Sequence, residues 1–421
     1  MKARRGGVQG AARESLQIRY GALQALYYFT TCALGGFAAI FLGYKGFSNT
    51  LIGVATGSSC VLCVIVMPLA SALLQRVPIV TIPRVLRCLI VGSLACYVAL
   101  ALAPLPRALE IPVFAIANAL SLAVAPFLSQ LAMGFNSIGM PINFGLARGM
   151  GSISYAVGAV GLSGLVDAVS PAGLVAAFAV AAVAFLAVLA TMPPCERKNA
   201  DEESQCKQTA DRRAGLSGSA LGEILQQRVL VMVLIGFMVA FVACNCLSVY
   251  LIDIVVNLGG DTSMYGIAIF CMAASELPAM ALVPRLRRHF SNSTLFMVVG
   301  AAYLLRNLIV VNAVSVPMVF VGLLFQSISY GLLTPLLTCY VAEVLTPRSE
   351  MLGQTLLSVA TTGVGSMVGT VAGGALQDVF GIQAMLSFVA LSTVAAFIIF
   401  ISAGIRCRKD EASAKISPAL S

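Results

Sequence analysis

Apolar residues run through this chain in twelve long stretches, separated by polar breaks. The stretches cover approximately 20–43, 50–74, 85–103, 111–134, 145–168, 172–192, 229–256, 263–284, 294–314, 316–342, 351–377 and 382–405. A helix that spans a bilayer needs about 20 apolar residues. The pattern therefore predicts an all-α polytopic membrane protein with twelve transmembrane helices. One break is much longer than the others. From Pro193 to Ala220 it carries Glu196, Arg197, Lys198, Asp201, Glu202, Glu203, Lys207, Asp211, Arg212 and Arg213 among few apolar residues. Such a composition favours a solvated, flexible linker. The expected division is a tail (1–19), a six-helix bundle (20–192), the charged linker (193–228), a second six-helix bundle (229–405) and a tail (406–421).

The two halves repeat weakly. Gly158 and Gly369 stand 211 residues apart, as do Asp167 and Asp378; Pro68 and Pro278 stand 210 apart, and Gly53 and Gly266 213. Four matches near one offset, in corresponding places, predict two pseudo-symmetric bundles. Duplicated bundles around a midplane site are a common design of secondary transporters. Small residues recur too: Gly158, Gly161 and Gly164 in the fifth stretch, and Gly365, Gly369 and Gly373 in the eleventh. They predict close helix packing.

Composition agrees with a membrane chain. Of its 421 residues 59% are hydrophobic and 10% charged, against about 25% charged in a soluble domain. The net charge of +9 is explained by placement. Of the 26 Lys and Arg, only Lys45 and Arg107 fall on the side opposite the tails, and Arg306 lies within a stretch. This is the positive-inside asymmetry, with both termini cytoplasmic in a plasma or inner membrane, and no nucleic-acid partner is implied. The twelve cysteines lie mostly inside the stretches. Cys60/Cys63 and Cys244/Cys246 have metal-like spacing, but zinc needs four ligands and the one histidine, His289, lies in a loop. They read as packing residues, and no metal or cofactor is expected. There is no P-loop, no HExxH and no nucleophile–His pair. GVGSMVG at 363–369 lies inside a helix. An enzyme is not expected, and any transport must run on a gradient or be passive.

The groups able to do chemistry are few. Asn143 to Tyr155 reads NFGLARGMGSISY. Arg148 enters an apolar stretch there, flanked by Gly145, Gly149 and Gly151, with Tyr155 two turns on and on the same face. A lone arginine costs about 2.5–3.5 kcal/mol near a membrane helix centre, less near an end. Arg148 therefore reads as a substrate contact or as a snorkelling anchor. Glu276 lies about 8 residues, or roughly 12 Å, from the inner end of the eighth stretch. Arg306 lies about 12 residues, or roughly 18 Å, into the ninth. On antiparallel neighbours the two are expected to meet, as a proton carrier and its switchable partner or as a structural pair. Gln130, Gln326 and Asn245 supply neutral polar contacts to a substrate. Tyr27, Tyr28, Asn118, Tyr250, Asn307, Tyr330 and Thr334 are further candidates for lining a cavity. Asp167, Asp253, Glu343 and Asp378 fall near helix ends and read as caps or gate elements. Arg285, Arg287 and Arg288 read as an inner-face anchor.

These residues resemble the major facilitator superfamily, in its branch of lactose permease-like and phenylpropionate- and nucleoside-transporter-like proteins. The resemblance rests on NFGLARGMGSISY, on SELPAM at 275–280 and on YLLRNL at 303–308. It implies substrate binding by Arg148, stacking by Tyr155 and coupling by Glu276 and Arg306. The chain departs from the sugar-symporter pattern: Gln130 and Ser329 stand where that pattern has acids, Gln326 where it has histidine, and Leu146 where it has arginine. An Arg148 without its acid favours a carboxylate-bearing solute. The expectation is a monomeric transporter that moves a small organic solute (aromatic carboxylate, sugar or nucleoside) by proton-coupled symport and alternating access. A proton-driven efflux antiporter and a non-transporting sensor or partner-binding protein are the alternatives.

Overall fold

The structure is a computed structural model that describes residues 2–77, 79–138, 140, 142–193 and 218–416. Its helices are α1 (Lys2–Thr31), α2 (Ala38–Tyr44), α3 (Asn49–Arg76), α4 (Ile82–Leu102), α5 (Arg107–Leu122), α6 (Val124–Ser137), α7 (Phe144–Ala168) and α8 (Gly173–Ala190). After the undescribed stretch come α9 (Gly218–Gln226), α10 (Arg228–Val249), α11 (Leu251–Asn257), α12 (Thr262–His289), α13 (Asn292–Val311) and α14 (Val316–Leu324). The last four are α15 (Leu332–Val344), α16 (Pro347–Ser358), α17 (Ser366–Phe380) and α18 (Ile382–Ile416). Wide π turns interrupt three of the predicted spans, at Cys32–Gly36, Ser327–Gly331 and Val359–Gly365.

Among the described residues ten helices or joined helices are long and apolar enough to cross a membrane. An eleventh is the pair Glu14–Gly36 and Ala38–Tyr44, bent by 46°. At the eighth predicted run stands α12, whose 28 residues exceed the roughly 20 that a span requires. The linker expected over 193–228 is outside the described residues from 194 to 217. Its last part is the helix α9, where the sequence suggested flexible chain.

The chain divides into two units: Met1–Asp201 with Asp261–Ala273, and Glu202–Gly260 with Ala274–Ser421. In the first, α1 packs along α7 and α8, α3 along α5, and α4 along α5 and α8. Edge-to-face rings join α2, α4 and α8: Phe41 to Tyr97 at 5.0 Å and Tyr97 to Phe178 at 5.3 Å. Asn143 starts α7 by accepting a hydrogen bond from the Leu146 N–H at 3.0 Å. Gln17 of α1 holds the same residue, accepting from the Asn143 N–H at 2.8 Å. The early part of α12 belongs to this unit, where the Tyr265 hydroxyl donates to the Gly36 carbonyl.

In the second unit α10 packs on α17 and α18, and α13 on α18. Its core includes aromatic pairs, with Phe237 on Phe241 at 4.8 Å and Phe296 on Tyr340 at 5.1 Å. The small-residue repeat works in both units, but only at some of its glycines. A Cβ at Gly158 would stand 2.9 Å from Phe29 of α1, and one at Gly369 would strike the Val242 backbone of α10. Gly149, Gly161 and Gly164 have no neighbour within 4 Å of such an atom, so those glycines do not set a close approach.

Candidate functional site

The first unit places a cation on an aromatic face. Arg148, half-buried on α7, lies over the Tyr28 ring of α1 with its Cζ 4.2 Å from the centroid. Its Nη1 donates to Ser152 Oγ at 3.2 Å, one turn along the same helix. Tyr27 meets the Tyr28 ring edge-on at 4.9 Å. The approach is close because Gly151 faces Tyr28; a side chain there would strike the ring. A cation over an aromatic face gains about 0.5–1 kcal/mol when exposed and about 2 when desolvated.

Tyr155 stands elsewhere on the same helix. A Cβ on Gly36 would lie 2.9 Å from the Tyr155 hydroxyl. The ring therefore reaches the π turn of the first span, while Tyr28 is the ring beneath Arg148. The periodicity of α7 gave the face shared by Arg148 and Tyr155 but said nothing of α1. Arg148 joins no ion pair with a described residue. Gln130 is exposed on α6 and is no partner to it. The polar tie between α1 and α6 is instead Tyr20, whose hydroxyl donates to the Leu128 carbonyl at 2.9 Å and accepts from Gln24 at 2.8 Å.

The second unit holds the buried charges. Glu276 of α12 is half-buried and accepts from Gln326 Nε2 at 3.0 Å. Gln326, 3% exposed, precedes the π turn Ser327–Gly331, which packs on α13. Arg306 of α13 is 0% exposed. Its Nη1 donates to Asn307 Oδ1 at 2.9 Å and faces Cys244 Sγ at 4.0 Å. Asn307 passes the chain on, donating to Thr393 Oγ1 of α18 at 2.7 Å. Among the ion pairs of the described residues none joins Glu276 to Arg306. The expected meeting is replaced by two separate arrangements, because an amide donor and an amide acceptor take up the two charges.

Asn245 spends its amide on its own helix, donating to the Phe241 carbonyl at 3.0 Å. Ser329 likewise bonds back to the Phe325 carbonyl at 2.9 Å. Cys244 had read as a packing residue, and Thr393 carried no signal, since it meets Asn307 across 86 positions of sequence. Asn307 was legible as the polar neighbour of Arg306 in YLLRNL. Among the described residues no three His, Cys, Asp or Glu converge on a metal site.

The charges near helix ends do structural work. Asp167 accepts from Ser263 at 2.7 Å and Asp253 from Gln377 at 2.8 Å. Glu343 pairs with Arg287 and accepts from Asn292 at 3.1 Å. Glu223 of α9 accepts from the Thr346 N–H at 2.9 Å, from the Thr346 hydroxyl at 3.0 Å and from Ser349. These bonds, that from Ser349 first, hold the Glu223 carboxyl below its ordinary pKa.

A family model described as "MFS_1 like family" matches residues 20–390. Solved structures of similar fold include a point variant of the nucleoside transporter NupG, with TM-score 0.77 and 14% identity over 91% of this chain and 99% of that one. The D-xylose-proton symporter aligns at TM-score 0.63 and 16% identity, over 93% of this chain and 96% of its own. A partially occluded, inward-open form of the xylose transporter XylE from E. coli aligns at 0.62 and 14%, over 92% and 98%. No curated protein sequence matches the chain. At such identities the structural likeness shows the fold.

Proposed function

The chain belongs to the MFS_1 like family of transporters, and from that premise we propose that it moves a small organic solute across a membrane by proton-coupled symport. The family and fold make it a multi-pass membrane protein and a secondary transporter rather than an enzyme. The mechanism is alternating access, in which the solute site opens to one side and then to the other.

One observation carries the coupling: the carboxyl of Glu276, set inside a predicted span and held by a neutral amide. An ionisable group at that depth is costly and marks a proton or solute path. Gln326 bonds the carboxyl without fixing its charge, since an amide donates to a carboxylate and accepts from a carboxylic acid. Glu276 can thus take up and release a proton while keeping its place. On the solute side, the Arg148–Tyr28 pair and Tyr155 supply a cation and flat apolar faces. They suit an aromatic carboxylate, a nucleoside or a sugar. Gln130, exposed on its helix, supplies a further polar contact; Asn245 is already bonded to its own helix. The distribution of Lys and Arg supports a plasma or inner membrane with both termini cytoplasmic, and the working unit is a monomer.

The test is transport by the purified chain in proteoliposomes under an imposed proton gradient, with one labelled solute of each class. Gradient-driven accumulation of a solute is expected in the wild type. Glu276→Gln is expected to lose accumulation yet retain solute exchange at equilibrium, because exchange needs no net proton movement. Accumulation by Glu276→Gln equal to wild type would remove the carboxyl from the coupling. No movement of any solute by the wild type would argue for the non-transporting reading.

A further inference from the structure

The coupling described above leaves Arg306 without a task. Its guanidinium is fully buried, yet only Nη1 has partners, Asn307 and Cys244. Nε and Nη2 are buried and have no hydrogen-bond partner among the described residues. Those two nitrogens form one edge of the planar group. Their N–H bonds run parallel, the fork that takes a carboxylate through two charge-assisted hydrogen bonds. Tyr303 stands one turn before Arg306 on α13, on the same face. Its hydroxyl is also buried and unpartnered, as is the Gln326 Oε1 acceptor. A buried cation without a counter-charge is among the costliest features a fold can retain. Such a feature inside a span marks a functional group. The wide π turn Ser327–Gly331 packs on α13 beside Gln326. Turns of this kind gather at functional sites.

We propose that the Nε/Nη2 edge of Arg306, with Tyr303 one turn before it on α13, is the binding site for a carboxylate group of the solute. This rests on the transporter reading and assigns the carboxylate to the second unit. The same edge has one other source of carboxylate, the side chain of Glu276 after a rearrangement.

The two are separated by calorimetric titration of the full-length protein in detergent with 3-phenylpropionate and benzoate. The neutral 3-phenylpropionamide and benzamide serve as controls. The carboxylates are expected to bind and the amides to bind at least tenfold more weakly, since one charge-assisted bond is worth about a factor of ten or more. Arg306→Lys keeps the buried charge and removes the fork. It is expected to weaken carboxylate binding about tenfold, with little change for the amides. Glu276→Gln is expected to bind the carboxylates at least as well as wild type. Equal binding of acids and amides, no binding of either acid, or full binding in Arg306→Lys would overturn the proposal. Binding lost in Glu276→Gln but kept in Arg306→Lys would do the same. Proteoliposome uptake distinguishes the two readings. Carboxylate binding without transport would sink the transporter reading alone, and transport of neutral solutes without carboxylate binding would sink only this one.

Discussion

Arg148, Glu276 and Arg306 stand out within their apolar stretches because a charge in a span demands an explanation. Their partners do not stand out. Tyr28 lies 120 positions from Arg148, and Gln326 lies 50 from Glu276; neither distance leaves a periodic trace. Tyr28→Leu is expected to lower stability by about 0.5–1 kcal/mol, and Tyr28→Phe by much less, because the ring face is what attracts the cation. Chemical unfolding of the two variants in detergent checks this. Equal losses would assign the effect to the hydroxyl.

At the level of helices, the glycine repeat makes a sharper claim than its sequence does. Gly369→Ala is expected to destabilise by about 1–3 kcal/mol, because the new methyl meets the Val242 backbone, which has no rotamer by which to yield. Gly161→Ala meets open space and is expected to be tolerated. Thermal unfolding followed by aggregation reads both. The glycines looked alike in the sequence. Which ones face a neighbour depends on the rotation of α7 and α17 about their axes, and tertiary packing sets that rotation.

The short helix α9 carries a pH-dependent contact of its own. Glu223 bonds the first turn of α16 at Thr346 and Ser349, a favourable place for a negative charge. Its folded pKa is lowered, so the docking is complete above the carboxyl's ordinary pKa and is lost as pH falls through the lowered value. Hydrogen exchange across Gly218–Gln226, corrected for the intrinsic rate, is expected to show protection at pH 7 that disappears near the acid limit. Glu223→Gln is expected to show weaker protection at pH 7 and no such change. An acid-insensitive wild type would mean that apolar packing alone holds the helix.

For the whole molecule, the count of spans decides which side each end occupies. Among the described residues ten helices or joined helices pass on length and hydropathy, and the bent first pair makes eleven. We expect α12 to be the twelfth, since 28 residues reach about 42 Å along a helix, against a hydrocarbon core of about 30 Å. Twelve spans place both ends of the chain on one side; eleven place them on opposite sides. Epitope tags at the two ends, probed in sealed oriented vesicles, are expected to become accessible together.

By itself the sequence determined that this chain is a bundle of membrane helices, roughly where each begins and which charges are out of place. Those facts follow from local apolar length and from the cost of charge in lipid, which act on each segment separately. It also carried the family resemblance that the matched family model then established. Only the tertiary structure decided that Arg148 rests on Tyr28, that Glu276 takes an amide in place of Arg306, and that Arg306 keeps an open edge. Those outcomes depend on which faces meet when α1 packs on α7 and α13 packs on α18. Such contacts join residues far apart in the chain, and no local pattern encodes them.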